Sequence, residues 1–297
     1  MVDLSKLSTE KRNPRTMDLD KMSPLEIAKA MNTDDYEVPK AVGLVLPQIA
    51  TAITWGTEAL KNNGRIIYMG AGTSGRLGLL DAVECPPTFG VEPERVVGLI
   101  AGGHKAFIKA VEGAEDSTTL GSDDLKAINV TKNDLVVGIA ASGRTPYVIH
   151  GLRYATELGC KTVAIACTQD SLIGKEALLS IEPIVGPEIL TGSTRLKSGT
   201  AQKMILNMIS TGSMIGIGKA YQNLMVDLMQ TNEKLHSRAE KIVIEATGCT
   251  AEIAHQALAD ANGSAKVAIV MILLDCDEKE AVQKLKKADG KIRNAIS

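Results

Sequence analysis

The chain has 297 residues, of which 44% are hydrophobic and 23% charged; this balance excludes disordered, collagen-like and coiled-coil fibrous proteins. Its 33 basic and 35 acidic side chains give a net charge of −2, without the basic block that marks a nucleic-acid-binding protein. Only 3% of the residues are aromatic, too few for base-stacking platforms.

Membrane insertion and secretion are not expected. The longest clean apolar run, Val267–Leu274, is far shorter than the roughly 20 residues that span a bilayer, and the first residues lack the apolar core of a signal peptide. The five cysteines are scattered, without a Cys-x-x-Cys pair, which is typical of a reducing compartment. We therefore expect a cytoplasmic protein with no membrane or nucleic-acid partner.

The first part of the chain is predicted to be helical. Ser23–Glu26 has the sequence of a capping box with proline at the first helical position, so it starts a helix that we expect to reach Met31. Apolar residues recur at helical spacing over Ile49–Leu60. Pro47 is expected to kink or restart this segment, because it lacks an amide hydrogen.

From Arg65 onward, short apolar runs alternate with helical stretches. The strand candidates are Arg65–Met69, Val96–Ile100, Leu135–Ala140, Thr162–Ala166 and Ile181–Val185. The helix candidates between them are Leu77–Val83, Lys105–Val111, Tyr147–Leu158 and Leu172–Leu179. The first is expected to be stopped by Pro86-Pro87, with Glu84 at its end. Apolar strands that alternate with crossover helices predict an α/β fold, a doubly wound parallel five-stranded sheet covered on both faces.

After Ile184 no further strand is expected. A long helix is predicted from Thr200 to Ile217, and Asn223–Ser297 is predicted to be helical in several pieces. The breaks between these pieces are expected at Gly248, Asn262-Gly263 and Asp289-Gly290. The predicted organisation is a helical segment over residues 1–54, the sheet domain over 55–222 and a helical subdomain over 223–297.

Two loops are candidates for ligand binding, because ligands of open parallel sheets bind beyond the carboxyl ends of the strands. The first, Gly70–Arg76, reads Gly-Ala-Gly-Thr-Ser-Gly-Arg, and the second, Ala141–Pro146, reads Ala-Ser-Gly-Arg-Thr-Pro. The first matches Gly-x-Gly-x-x-Gly, which also occurs in dinucleotide-binding folds. That fingerprint needs an acidic residue about 20 positions further on, at the end of the second strand. The second predicted strand ends in Ile100–Gly103, which has no acidic residue, so the fingerprint is incomplete.

The two loops share hydroxyl side chains close to predicted helix N-termini: Thr73, Ser74, Ser142 and Thr145. Hydroxyl and amide donors of this kind suit a phosphate monoester, and Arg144 adds a positive charge. The alternative is that both loops are merely tight turns. Two such loops on one sheet favour phosphate binding.

A third donor-rich loop, Thr191–Thr200, precedes the long predicted helix. Arg195 and Lys197 are candidates to contact a phosphate or a carboxylate, and a helix cap with exposed cations is an equally good interpretation. The four histidines show no metal-binding spacing, so neither a metal nor another cofactor is expected.

The loops resemble the phosphate loops of sugar isomerase (SIS) domains, which bind phosphosugars. More specifically, nearly the whole chain resembles the bacterial N-acetylmuramic acid 6-phosphate etherases. The matching stretches are Gly70–Gly90, Gly98–Gly103, Ala110–Ser117, Gly138–Val148, Thr191–Lys203, Asn223–Asp227 and Thr231–His236.

The resemblance implies cleavage of the ether bond between D-lactate and the sugar, giving N-acetylglucosamine 6-phosphate, in cytoplasmic recycling of cell-wall amino sugars. It implies ring opening, removal of the C2 proton, loss of lactate from C3 and addition of water. On the same grounds Glu84 is the acid and Glu115 the base. The residues alone leave Asp81, Glu112 and Asp116 as competing candidates. SIS domains commonly pair, so a homodimer with sites near its interface is expected.

Two other functions fit the same scaffold. An aldose–ketose isomerase of phosphosugars also needs a base at C2, but no acid aimed at a leaving group on C3. A sugar-phosphate-sensing regulator binds its ligand without turnover, yet such regulators usually carry a DNA-binding domain or a second SIS copy. The presence of both Glu84 and Glu115 favours the etherase.

Overall fold

The computed structural model of the protein describes residues 8–109, 111–228 and 233–297. Ala110, Thr231 and Asn232, which belong to two of the stretches named above, lie outside these residues. The chain divides into two units: Met1–Val83 with Glu94–Ser210, and Glu84–Pro93 with Thr211–Ser297. The helices before residue 54 belong to the same unit as the sheet, and the predicted division at residues 54 and 222 stays a prediction.

Three helices precede the sheet: α1 (Pro24–Asp35), α2 (Glu37–Gly43) and α3 (Leu46–Lys61). The capping box at the start of α1 is confirmed, since the Ser23 N–H donates to Glu26 Oε2 at 2.8 Å and Ser23 Oγ accepts from the Glu26 N–H. Pro47 lies in the first turn of α3, where its missing N–H leaves no helical bond unmade. It restarts the helix and does not kink it.

The sheet has five parallel strands in the order β2-β1-β3-β4-β5. The strands are β1 (Ile66–Gly70), β2 (Val96–Ile100), β3 (Leu135–Ile139), β4 (Lys161–Ile165) and β5 (Leu179–Ile181). The helices that follow them are α4 (Gly72–Phe89), α5 (Lys105–Ile108), α6 (Leu120–Ala127), α7 (Pro146–Glu157), α8 (Leu172–Glu176) and α9 (Lys197–Gly216). Every residue of β1 and β3 is buried, as expected for central strands with helices on both faces.

Three local expectations in this region are wrong. The last strand ends at Ile181, because Pro183 within the predicted run lacks the N–H that a strand ladder requires. Helix α6 was not expected, since its eight residues carry a weak apolar pattern. Helix α4 does not stop at Pro86-Pro87 but continues to Phe89. Each proline removes one helical hydrogen bond, yet α4 ends only where Gly90, at φ +57°, donates its N–H to Pro86 O.

At the amino end of the strands, β1 and β3 are joined by a buried charge network. Asp134 precedes β3 and is 2% exposed; its Oδ1 accepts from the Arg65 N–H at 2.8 Å and its Oδ2 from Arg65 Nη2 at 2.8 Å. The same carboxylate accepts from the Thr131 N–H at 2.9 Å. The charges and donors at this end are satisfied within the protein.

In the described part of the second unit, the ends of α4 and α9 are accompanied by a small hairpin and five further helices. They are β6 (Ala220–Tyr221), β7 (Leu224–Met225), α10 (Glu233–Thr247), α11 (Ala251–Asp260), α12 (Ala265–Leu274), α13 (Glu278–Lys287) and α14 (Ile292–Ala295). Positive φ values at Gly248, Asn262 and Asp289 confirm the expected breaks. The hairpin, and a further break at Asp275 with φ 48°, were not expected.

Among the described residues, no single helix is long and apolar enough to cross a bilayer. The pair α11 and α12 meets the requirement only when taken together, by length and composition, and is bent by 114°.

Candidate active site at the carboxyl ends of β1 and β3

The two hydroxyl-bearing loops follow neighbouring strands. Gly70, the last residue of β1, pairs with Ile139, the last residue of β3. From β1 the chain crosses to β2 on one side, and from β3 it crosses to β4 on the other. Connections that diverge in this way leave a crevice at the carboxyl ends of the two strands, which is where open α/β sheets bind ligands. The predicted placement of both loops at one edge is therefore confirmed.

In the first loop, glycines allow the chain to turn sharply from β1 into α4. A Cβ on Gly75 would lie 2.5 Å from Gly70 O, closer than any side chain can stand. Thr73 is half-buried, and its hydroxyl has no protein partner within the described residues. Ser74 is 7% exposed, and its hydroxyl lies 3.0 Å from Gln202 Oε1 on α9.

In the second loop, Gly143 adopts φ +69°, and a Cβ there would lie 2.4 Å from Ser171 Cβ. Ser142 and Arg144 are half-buried. In the described part of the chain the Ser142 hydroxyl has no protein partner. Thr145 occupies the N-cap position of α7, but its side chain makes no capping bond. The hydroxyl of Thr145 donates instead to Glu115 Oε1 at 3.1 Å.

Glu115 is thus held beside the second loop by two bonds. Besides the bond from Thr145, its carbonyl oxygen accepts from the Tyr147 N–H at 3.1 Å. The carboxylate is solvent-exposed. Within the described residues, neither Glu112 nor Asp116, the competing candidates beside it, makes a side-chain hydrogen bond to either loop. The contact with Thr145 therefore distinguishes Glu115 from its neighbours.

Tyr147, which holds the backbone of Glu115, is itself buried and fixed by a hydrogen bond. Its hydroxyl donates to Asp124 Oδ2 on α6 at 2.7 Å. Burial, together with the neighbouring carboxylate, raises the pKa of Tyr147 far above its ordinary value. Burial also raises the pKa of Asp124, and the hydrogen bond from Tyr147 opposes this rise. The pair fixes the first turn of α7, from which Tyr147 holds the backbone of Glu115.

The segment after β2 that leads to Glu115 is also tied to the first loop. Arg76, in the first turn of α4, donates from Nε to Phe107 O and from Nη2 to Ala106 O, both at 2.8 Å. Arginine presents its donors in a rigid fork, so it can hold two successive carbonyl groups at once.

In the third predicted loop the side chain of Lys197 is buried, whereas both interpretations of the sequence treat it as an accessible cation. This side chain is 2% exposed, and its Nζ pairs with Asp34 Oδ2 at 2.6 Å. Asp34 also pairs with Arg15, so Lys197 belongs to an internal ion-pair network and is shielded from solvent. The backbone N–H groups of Lys197 and Ser198 donate to the buried Glu188 at 2.9 and 3.0 Å.

Arg195, in contrast, is exposed in this loop. The N–H groups at the start of α9 are thus already bound by the carboxylate of Glu188. In this loop, Arg195 stays the candidate for a contact with the phosphate or carboxylate of a ligand.

Glu84 lies on α4 within the second unit and is exposed. Its helix continues past Pro86 and Pro87, so Glu84 stands within a helix and not at its end as predicted. Its neighbour Cys85 is buried. In residues 8–109, 111–228 and 233–297, no three His, Cys, Asp or Glu side chains are grouped as metal ligands.

Comparison with known proteins identifies the family. Residues 118–211 match the SIS domain, and residues 48–156 match the N-terminal SIS domain of glucokinase regulatory protein. The chain is 57% identical over 296 residues to the N-acetylmuramic acid 6-phosphate etherase of Serratia proteamaculans (strain 568), covering 100% of both chains. It is 58% identical to the etherase of Salmonella agona (strain SL483), covering 99% of both. The chain belongs to the N-acetylmuramic acid 6-phosphate etherase family.

A solved structure supports the fold assignment. A protein involved in capsule formation from Bacteroides fragilis NCTC 9343 superposes with a TM-score of 0.50 at 18% identity, covering 65% of this chain and 91% of its own. Together with the SIS-domain match and the five parallel strands, this confirms the predicted fold class for this member of the etherase family.

Several residues at the site were not found from the sequence. Gln202, Asp34, Glu188 and Asp124 each contact a predicted site residue or its neighbour. None of them carries a local signal, because each contact joins distant parts of the chain, such as the 128 positions between Ser74 and Gln202.

Proposed function

We propose that the protein is a lyase that cleaves the D-lactyl ether of N-acetylmuramic acid 6-phosphate, giving N-acetylglucosamine 6-phosphate and D-lactate. Family membership over the full chain supports this activity. The observation that carries the mechanism is the hydrogen bond from Thr145 to Glu115. This bond holds the carboxylate of Glu115 beside the loops whose hydroxyl groups are the candidate phosphate donors, which supports Glu115 as the proposed base.

The phosphate of the sugar is proposed to bind between the two loops. Thr73 and Ser142 bring hydroxyl protons that no described residue takes up, Ser74 adds a third hydroxyl, and Arg144 a positive charge. The N-termini of α4 and α7 begin directly after the loops, and their partial positive charge favours an anion. Because Thr145 already donates its single hydroxyl proton to Glu115, its proposed role is to orient the base.

Glu115 is proposed to remove the C2 proton. Ring opening exposes an aldehyde at C1, which makes the neighbouring C2 proton acidic because the electron pair can delocalise onto the carbonyl oxygen. Loss of that proton forms the C2–C3 double bond as the C3–O bond to lactate breaks. A general base in hydrogen-bond reach contributes typically about 10²–10⁴-fold to such a step.

Glu84 is proposed to protonate the departing lactate oxygen. This role rests on the resemblance to the family, supported by the exposed position of the side chain on α4. Water then adds at C3 and a proton returns to C2, so the net reaction consumes one water and releases lactate. No cofactor enters this sequence.

For the third loop we propose two different roles. Arg195 is exposed and is the candidate there for a contact with the phosphate or the lactate carboxylate. Lys197, paired with Asp34 at 2.6 Å, is proposed to fix the start of α9 and not to touch the ligand.

A cytoplasmic homodimer with its sites near the interface is also part of the proposal. None of the five cysteines forms a disulfide, which supports a reducing compartment. Light scattering on the eluting peak of a sizing column gives the assembly mass; twice the 31.5 kDa of the chain supports the dimer, and the mass of one chain contradicts it.

The activity is tested by incubating the purified protein with N-acetylmuramic acid 6-phosphate and measuring D-lactate and N-acetylglucosamine 6-phosphate in equal amounts. A ketose phosphate formed without lactate would instead identify an isomerase. Ligand binding with no turnover would identify a sensor. The unphosphorylated sugar is the control substrate, and the proposal predicts much slower turnover of it.

A further inference from the structure

Gln202 backs the first loop from α9. Its side chain is 1% exposed, and Oε1 lies 3.0 Å from the hydroxyl of Ser74, which is 7% exposed. The bond between them is shielded from water, and an amide–hydroxyl bond in such surroundings is electrostatically stronger than in water.

The helix that carries Gln202 is firmly placed against the loop. Its first N–H groups are held by Glu188 at 2.9 and 3.0 Å, and Lys197 is fixed by Asp34. In the same turn, a Cβ on Gly199 would lie 3.7 Å from Thr73 Cγ2, an ordinary van der Waals contact distance, so α9 packs beside the first loop. The position of Gln202 relative to Ser74 is therefore set by a rigid element and not by a loose surface contact.

Whether Ser74 can donate a hydrogen bond to a phosphate depends on where its single hydroxyl proton points. A serine hydroxyl has one proton, and a phosphate dianion accepts hydrogen bonds but donates none. While Ser74 donates to Gln202 Oε1, it has no hydroxyl proton to offer a phosphate. In the same arrangement Gln202 Nε2 is buried and has no hydrogen-bond partner in the described residues, which is costly for a donor.

A half-turn about the last side-chain bond of Gln202 exchanges the amide oxygen and nitrogen, so that Oε1 takes the buried position that Nε2 held. Nε2 then faces Ser74 Oγ and donates to it. The Ser74 proton is released to point toward the loop, and the buried amide nitrogen gains an acceptor.

From this geometry we propose that Gln202 is a positioning residue of the phosphate site. With ligand bound, its amide N–H donates to Ser74 Oγ, and Ser74 donates to a phosphate oxygen. The proposal rests on the proposed function, since it assumes that the first loop binds the phosphate of the sugar. Gln202 itself does not touch the ligand and acts entirely through Ser74.

The test is a double-mutant cycle on the dissociation constant for N-acetylglucosamine 6-phosphate, measured by calorimetry for the wild type, Ser74→Ala, Gln202→Leu and the double variant. We expect Gln202→Leu to weaken binding about two- to tenfold, the range of one neutral hydrogen bond. In the Ser74→Ala background the same substitution should have no further effect. In turnover assays the loss should appear in KM more than in kcat.

The result that overturns the inference is a Gln202→Leu effect that is equally large with and without Ser74, or no effect in the wild type while Ser74→Ala weakens binding. If Ser74→Ala itself leaves binding unchanged, the assignment of the phosphate site fails instead. Gln202→Met keeps the length of the side chain and replaces Gln202→Leu in the cycle if the latter does not fold. Thermal melting of each variant controls for a general loss of structure, which would not vanish in the Ser74→Ala background.

Discussion

The two ends of the strand pair β1 and β3 have opposite polar chemistry. At the amino end, Arg65 and Asp134 satisfy each other, and Asp134 also takes up the N–H groups of Arg65 and Thr131. At the carboxyl end, Thr73 and Ser142 offer hydroxyl protons that no described residue accepts. The same two strands thus carry a closed polar network at one end and an open one at the other.

This difference separates stability from function. A closed buried network destabilises the fold when one partner is removed, because the remaining groups stay desolvated. Open donors contribute little to the fold, and their partners are supplied by the ligand. Variants at the amino end should therefore change unfolding, and variants at the carboxyl end should change binding and turnover.

The largest expected effect is at the closed end. Asp134→Ala should lower the free energy of unfolding by about 3 kcal/mol, since it leaves a largely buried guanidinium and two N–H groups without their acceptor. Urea unfolding followed by circular dichroism measures this loss. The control is Arg153→Ala, which breaks the ion pair with Glu176 at 2.7 Å, where Arg153 is 46% exposed; the expected loss is much smaller, because a solvent-exposed ion pair contributes little to stability. Equal losses in both variants would contradict the distinction.

At the open end, Ser142→Ala should weaken binding of N-acetylglucosamine 6-phosphate about 10- to 100-fold, because a hydrogen bond to a charged group contributes about 1.5–3 kcal/mol. The melting temperature should stay close to that of the wild type. Ser122→Ala, whose hydroxyl bonds Thr119 O at 2.8 Å on α6, is the matched control and should bind normally. A strong loss of stability in Ser142→Ala with unchanged affinity would place Ser142 in the fold and not in the site.

Thr145 tests the link between the second loop and the base. Thr145→Val keeps the shape of the side chain and removes the bond to Glu115, so kcat should fall about tenfold, with a smaller change in KM. Thr145→Ser retains the hydroxyl and should restore most of the activity. If the serine variant is as slow as the valine variant, packing of the methyl group and not the hydrogen bond explains the loss.

The smallest expected effect concerns pH. Burial raises the pKa of Asp124 above its ordinary value of 3.8, so the folded protein holds this proton more tightly than the unfolded chain. The contribution of Asp124 to stability is therefore full below that value and is lost as pH rises through the raised pKa. Asp124→Asn should remove this loss while its side-chain oxygen still accepts from Tyr147.

Unfolding curves between pH 3 and pH 7 check this sign, in a window that starts near the ordinary aspartate pKa of about 3.9. Relative to the wild type, Asp124→Asn should gain stability as pH rises. Asp20→Asn, at an exposed aspartate on a different part of the chain, is the control. A variant that loses stability with rising pH relative to the wild type would refute the assignment.

The elements with a clear local pattern were predictable from the sequence. Buried strands such as β1 and β3 are apolar runs between glycine-rich turns, and the capping box marks the start of α1. The prediction failed where the local pattern misleads. Pro183 lies in an apolar run that is not a strand, and Pro86 lies inside a helix that it does not end.

The site was predictable only in part, for a related reason. The loops were recognised from their glycines and hydroxyls, which are close in sequence, and Glu115 was selected by family resemblance. Which hydroxyls remain free could not be predicted, because the partners come from far along the chain: Thr145 bonds a residue 30 positions away and Ser74 one 128 positions away. Likewise, no residue close to Lys197 in the sequence indicates that its ammonium group pairs with Asp34.

The central claim is that Glu115, held by Thr145, removes the C2 proton. The most direct test is turnover of N-acetylmuramic acid 6-phosphate in deuterated water by the wild type, Glu115→Gln and Glu84→Gln, with deuterium at C2 followed by NMR. The account predicts deuterium at C2 of the wild-type product, and a loss of both exchange and lactate release of about 10²–10⁴-fold in Glu115→Gln. Glu84→Gln should release lactate slowly but still exchange the C2 proton. Undiminished exchange at C2 in Glu115→Gln would contradict the account.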